Sequence, residues 1–191
     1  MSPPGHRERL PALRRRVIAH FLVSYLSSSW LVSQIQSISA YESRVFAWTR
    51  RDDDVITRSD RYVQAVPQLR VEPLGHRLAT ASAYALERLN HTTSAVLARR
   101  MKQVGVNLIH AHFGRAGYYA LPILNRFRVP LITSFYGYDL SEYPKSYPIW
   151  RQYYRELFDA GTYFLAEGSH MRQTMIDLGC PPEKALLQRL G

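Results

Sequence analysis

The chain has 191 residues, with 25 Lys and Arg against 15 Asp and Glu, a formal net charge of +10. Its 46% hydrophobic, 12% aromatic and 21% charged residues are those of a globular protein and exclude wholesale disorder, collagen and coiled coil. The length suits one domain or at most one and a half, and a lone cysteine, Cys180, excludes a disulfide scaffold and fits a reducing compartment.

Residues 1–16 carry five Arg against one Glu and read as a basic, disordered tail. Followed by Val17–Leu26 they mimic the charged and apolar regions of a signal peptide. However, His20 and Ser24 interrupt the apolar run, and no small-residue cleavage pattern follows, so a buried first strand over 17–23 is the better reading. Trp30–Ala40 has helical spacing and Ser43–Thr49 is a second strand. The stretch from Arg50 to Pro73 is weakly patterned, and a long helix is expected from about Arg77 to Gln103, with Gly105 as its stop.

The second half alternates more regularly. Strands are expected at Val106–Ala111, Pro130–Ser134 and Tyr163–Ala166, and helices at Ala116–Phe127, Pro148–Phe158 and Ser169–Leu178, with Ser169 as an N-cap. Leu186-Leu187 begins another strand-like run. Strands separated by helices in this rhythm imply right-handed crossovers and an α/β, doubly wound parallel sheet over 17–191. Such sheets bind ligands beyond the carboxyl ends of their strands, which directs attention to four loops.

The first, Ser24–Trp30, includes Ser28 and Ser29, whose hydroxyls and backbone amides suit helix capping or a sugar or anion. The second is His110-Ala111-His112-Phe113-Gly114-Arg115. His110 and His112 share one face of the strand, and two imidazoles alone make a poor metal site, so no metal is expected. A neutral His112 that hydrogen-bonds substrate, or a structural partner, fits better, and Gly114 would let the backbone approach a ligand. The third loop, Ser134-Phe135-Tyr136-Gly137-Tyr138-Asp139, offers aromatic faces and a carboxylate suited to carbohydrate, or else closes the core with Asp139 as a cap. In the fourth, Ala166-Glu167-Gly168-Ser169, Glu167 either faces the same cleft or serves capping. Asp52-Asp53-Asp54 reads as a solvated turn, the Asn90-His91-Thr92 sequon falls in a helix, and Cys180 has no evident base. Neither a phosphate-binding Gly-rich loop nor a nucleic-acid motif is present.

In order and spacing, three stretches together resemble the N-terminal half of family 4 glycosyltransferases of the GT-B fold. They are Leu108-Ile109-His110-Ala111-His112-Phe113-Gly114, Pro130-Leu131-Ile132-Thr133-Ser134-Phe135-Tyr136-Gly137-Tyr138-Asp139, and Glu167-Gly168-Ser169-His170-Met171. Leu178-Gly179-Cys180-Pro181-Pro182-Glu183-Lys184 extends the match, and Ser28-Ser29-Trp30 with Gln34 fits bacterial cell-surface polysaccharide members. The resemblance implies an enzyme with two facing Rossmann-like halves that transfers a sugar from a nucleotide-sugar with retention and without an obligatory metal or other cofactor. This chain would be the acceptor-side half. His112, as the catalytic residue, and the Tyr136-Gly137 loop would line the side facing the donor sugar, and Gly114 and Arg115 would bind substrate beside them. The serine loop with Trp30 would face the acceptor, and Asp139 and Glu167 would also contact substrate. Tyr136 stands where many relatives carry His, and Ser27-Ser28-Ser29 replaces paired glycines. The donor-binding half, expected to begin near Gly191 or to occur as a separate subunit, would be needed for turnover. A glycan or lipid-linked acceptor, with the basic chain touching an anionic membrane from the cytoplasm, is the implied setting. A stand-alone, non-catalytic carbohydrate-binding module is the alternative.

Overall fold

Apolar runs of three to eight residues pair side by side in the computed structural model, which describes residues 16–24, 29–49, 62–64 and 94–189. The basic tail to Arg15, the serines 27 and 28, Asp52–Asp54, the sequon and the first part of the expected long helix lie outside the described residues. The strands are β1 (Val17–Ser24), β2 (Glu42–Thr49), β3 (Tyr62–Gln64), β4 (Val106–His112), β5 (Leu131–Ser134), β6 (Tyr163–Ala166) and β7 (Ala185–Leu187). All neighbours are parallel, in the order β3-β2-β1-β4-β5-β6-β7. The chain therefore starts in the middle, builds outward to β3, and returns to the far side of β1. That reversal creates a crevice between β1 and β4 at the carboxyl edge.

Helices cross between the strands: α1 (Ser29–Ser37), α2 (described over 94–104), α3 (Gly114–Leu124), α4 (Tyr138–Ser141), α5 (Tyr143–Ser146), α6 (Trp150–Ala160) and α7 (Ser169–Asp177). The doubly wound expectation holds. Gly105, at φ 77°, ends α2 in the left-handed region. Lys184 reaches back to cap α6, its Nζ donating to the carbonyls of Phe158, Asp159 and Gly161 at 2.8, 3.0 and 3.0 Å. Ser169, expected as an N-cap, is instead the first helical residue; Gly168 holds the cap position and no side chain caps α7. The two single-turn helices α4 and α5 replace an expected loop.

Strand alternation splits the core in two. On one face Phe21, Phe46, Ile109 and Ala111 meet Ala116, Ala120 and Ile123 of α3, Leu97 and Met101 of α2, and the rings of Tyr154 and Phe158. On the other, Leu22, Val45 and Ala47 pack on Leu31 and Ile35 of α1. This second face also receives His20, His110 and His112, because His20 pairs with Val45 on one side and His110 on the other. Among the described residues, no helix is long and apolar enough to cross a membrane.

Candidate functional site

The β1–β4 crevice contains a cleft of about 190 Å³ whose walls include Val23 from β1, His112 from the end of β4, Phe113, Arg115 and Ala116 from the turn into α3, and Tyr138, Asp139 and Tyr143 from α4 and α5. Three of the residues expected from the sequence, His112, Arg115 and Asp139, meet there.

His112 is the best-anchored of them. Its Nδ1 lies 2.7 Å from the Tyr136 hydroxyl and its Nε2 lies 3.0 Å from Nδ1 of His20. The chain of contacts continues from His20 Nε2 to Ser43 Oγ at 3.3 Å and from the Ser43 hydroxyl to the Ile35 carbonyl at 3.4 Å. His110 is held separately by Ser134 Oγ at 2.8 Å. If Tyr136 donates to His112, each later ring N–H donates onward and ends on Ser43, so every buried nitrogen along this chain has a partner. Burial keeps all three imidazoles neutral. His20 is brought down to about 3, first by desolvation and then by His110; His110 is brought to about 4 by desolvation; and His112 falls well below the ordinary value for the same reasons.

One nitrogen from each of these histidines lies within 4.8 Å of the others, making them, among the described residues, the trio that could hold a metal ion. No carboxylate or thiol of the described residues joins them, and His20 and His112 already have both ring nitrogens in hydrogen bonds. His20 was invisible as a site residue in the sequence, where it looked like a break in an apolar run. A polar side chain inside a buried strand was the available signal.

Tyr136 itself is clamped between Trp30 and Phe113, each ring 4.7 Å away, and its hydroxyl lies 3.4 Å from Gln34 Oε1. Burial raises its pKa, so it stays a phenol. Phe113 takes φ 75° and ψ 146°, a backbone region rare for any residue but glycine, at the joint between β4 and α3; such strain costs about 1–3 kcal/mol and tends to sit at functional sites.

Asp139 is buried at 3% exposure. Its two oxygens accept the backbone N–H groups of Gly114 at 2.8 Å and Tyr136 at 2.9 Å, and the Tyr154 hydroxyl donates to its carbonyl at 2.7 Å. It therefore staples the two loops that form the cleft, the capping role weighed beside sugar contact. Desolvation outweighs these bonds and lifts its pKa to about 6. A Cβ at Gly114 would collide with the rings of Phe135 and Tyr154, so packing by itself requires a glycine there. Gly137, at φ 76°, opens α4.

Trp30 is part-exposed beside Tyr136, and Ser29 begins α1, while Ser28 lies outside the described residues. Glu167, in the turn after β6, is close enough to raise the pKa of both Tyr136 and Asp139 but does not line the cleft. Tyr143 was missed by sequence reasoning, and Arg115 lies over its ring, 5.3 Å from the centroid. Cys180 is buried, its thiol pushed up to about 12, as suits a packed rather than reactive sulfur.

The model of Glycosyltransferase Family 4 matches residues 39–187. A Salmonella typhimurium protein named as a colanic acid biosynthesis glycosyltransferase, WcaL, is 30% identical over 151 residues, 69% of this chain and 36% of its own length. Among solved structures, HepE of Anabaena in complex with UDP and glucose superposes at TM-score 0.61 and 14% identity, over 92% of this chain and 44% of that one. A UDP-N-acetylglucosamine 2-epimerase from Rickettsia bellii gives TM-score 0.61 at 9% identity, over 93% and 45%. The chain thus spans little more than a third of its curated relative and under half of these structures. Because an epimerase superposes as well as HepE does, the shared fold alone does not choose a reaction.

Proposed function

The chain belongs to Glycosyltransferase Family 4, and on that premise we propose that it is the acceptor-side half of a retaining transferase, moving a sugar from a nucleotide-sugar to a glycan or lipid-linked acceptor of the cell-surface polysaccharide type. The observation that carries this reading is His112, a neutral imidazole at the carboxyl end of β4, held by Tyr136 and His20 where it walls the crevice. A ring whose protonation is suppressed and whose two nitrogens are held by Tyr136 and His20 serves as a fixed, uncharged wall for a sugar rather than as a proton donor. Bound there, the donor sugar would meet an acceptor lying over Arg115, Tyr138 and Tyr143. A second Rossmann-like half would hold the nucleotide, so this chain alone would not turn over. The net charge of +10 supports peripheral contact with an anionic membrane that presents a lipid-linked acceptor from the cytoplasm.

Two measurements test this reading. The intact mass of the native protein, with its coding frame read past Gly191, is expected to be roughly twice the 22.1 kDa of this chain. The 191-residue chain is expected to show no sugar transfer by itself and to gain it when the nucleotide-binding half is supplied, with the donor's anomeric configuration kept in the product by NMR. A native mass of 22.1 kDa with no complementing subunit would replace the transferase by a carbohydrate-binding module.

A further inference from the structure

The charged groups around the cleft do not balance. Arg115 is exposed on the cleft wall with its guanidinium above Tyr143, and the described residues offer it no ion pair. Of the acids nearby, Glu167 does not line the cleft, and the other two are engaged elsewhere. Asp139 is buried with both oxygens on backbone N–H groups, and Glu142 pairs with Lys145 at 3.1 Å. His112, the other ionisable wall residue that could carry positive charge, is neutral. Among the described residues, the cleft mouth therefore carries one cation, Arg115, beside Phe113, Tyr138 and Tyr143. Tyr138 is 62% exposed, which leaves its ring free to lie against a sugar.

A neutral sugar would use the rings and leave the guanidinium to water. An acid group would meet it with two parallel N–H···O contacts, because the planar fork of arginine matches carboxylate and phosphate oxygens. The tyrosine beneath restricts the guanidinium and lowers the ordering cost of that contact. We propose that the acceptor taken by this cleft is an anionic carbohydrate, its carboxylate or phosphate held by Arg115 while the sugar ring rests on Tyr138 and Tyr143. The proposal rests on the acceptor-side reading and adds the chemical class of the acceptor. Arg115 is a specificity-determining residue under this proposal, outside the group that touches the donor.

The test titrates the 191-residue chain, followed by NMR, with methyl glucoside, glucuronate, glucose 1-phosphate and inorganic phosphate, and repeats each titration with R115Q and R115K. An acid sugar is expected to bind at least about tenfold tighter than the neutral one, as a charge-assisted bidentate contact gives. R115Q should bind acid and neutral sugars alike, with an unchanged melting temperature. R115K should keep only part of the preference. The order of glucuronate and glucose 1-phosphate tells whether a carboxylate or a phosphate is the natural partner. Equal binding of neutral and acid sugars by the unmodified chain, or a preference that survives in R115Q, overturns the anionic class and leaves the acceptor-side reading in place. Inorganic phosphate binding as tightly as the sugar phosphate also overturns it, since the cleft would then hold any anion. If no sugar of either kind perturbs the cleft residues, the acceptor-side reading falls together with the proposal.

Discussion

The two faces of the central strands differ in kind: one is apolar and the other carries a buried histidine cluster. β1 and β4 contribute to both. Toward α3, Phe21, Phe46, Ile109 and Ala111 are fully or almost fully buried in an apolar, aromatic core. Toward α1, one residue along, His20, His110 and His112 are buried to nearly the same degree, yet each needs a hydroxyl or a second ring to satisfy its nitrogen. The first face gains stability from transfer out of water. The second gains little, because burying polar rings costs what their hydrogen bonds return. A buried polar network that contributes so little to folding is best explained by what it positions, and it ends at His112 in the cleft.

Truncation should separate the faces first. Phe21→Ala removes a fully buried ring from the dry face and is expected to cost about 3–5 kcal/mol, read by denaturant unfolding. Ligand shifts at the cleft should survive in whatever fraction remains folded. A loss under about 1 kcal/mol would mean that the dry face does not hold the domain together.

Acid should attack the other face. In the unfolded chain the imidazoles take up protons near 6.5, but in the fold His20 and His110 resist until about 3 and 4, with His112 shifted the same way. Between those values the unfolded state binds more protons, so stability falls as pH drops, by up to about 1.4 kcal/mol per pH unit for each ring. Asp139 opposes this. Its folded value of about 6 stands above its ordinary 3.8, so in that window the folded state binds the extra proton and offsets one ring. Glu167, which adds to the Asp139 shift, faces the same loops. Thermal melts from pH 7.5 to 5 should show a steep fall, and a flat profile would mean that the histidine face is wet.

The same comparison explains what could be read from residues alone. The strands β4, β5 and β6 announced themselves because a strand covered on both sides is a short apolar run between turn residues. β3, three residues long, and the one-turn helices α4 and α5 carry no period to detect. His112 and Asp139 were legible because the strand-end rule assigns their loops to the crevice. His20 was not, since its partner lies 92 residues away and only the β1–β4 register brings the rings together. Nor was Tyr143, which reaches the cleft through two single-turn helices. Gly114 was seen, but its packing role was not, because the rings of Phe135 and Tyr154 that forbid a side chain there come from other elements.

Where the polar network meets the cleft, the effects become smaller and more specific. His20→Ala leaves His112 Nε2 and Ser43 short of a partner, which should cost about 1–3 kcal/mol, less than Phe21→Ala although both residues are fully buried. Differential scanning calorimetry on the two variants measures that ranking directly, and a reversal would move the weight of the fold to the histidine face.

Tyr136→Phe is the finest of these changes. The ring stays between Trp30 and Phe113, so packing is kept, while His112 loses the 2.7 Å contact at Nδ1 and Gln34 loses a weak one. About 1 kcal/mol of stability is expected to go. The loss in sugar binding should be larger than the loss in stability, because the freed imidazole can change tautomer and tilt at the cleft wall. Histidine ring nitrogen shifts by NMR report the tautomer in both chains. If Tyr136→Phe leaves those shifts and the affinity for sugar unaltered, then His20 alone orients His112 and the tyrosine hydroxyl only fills its space.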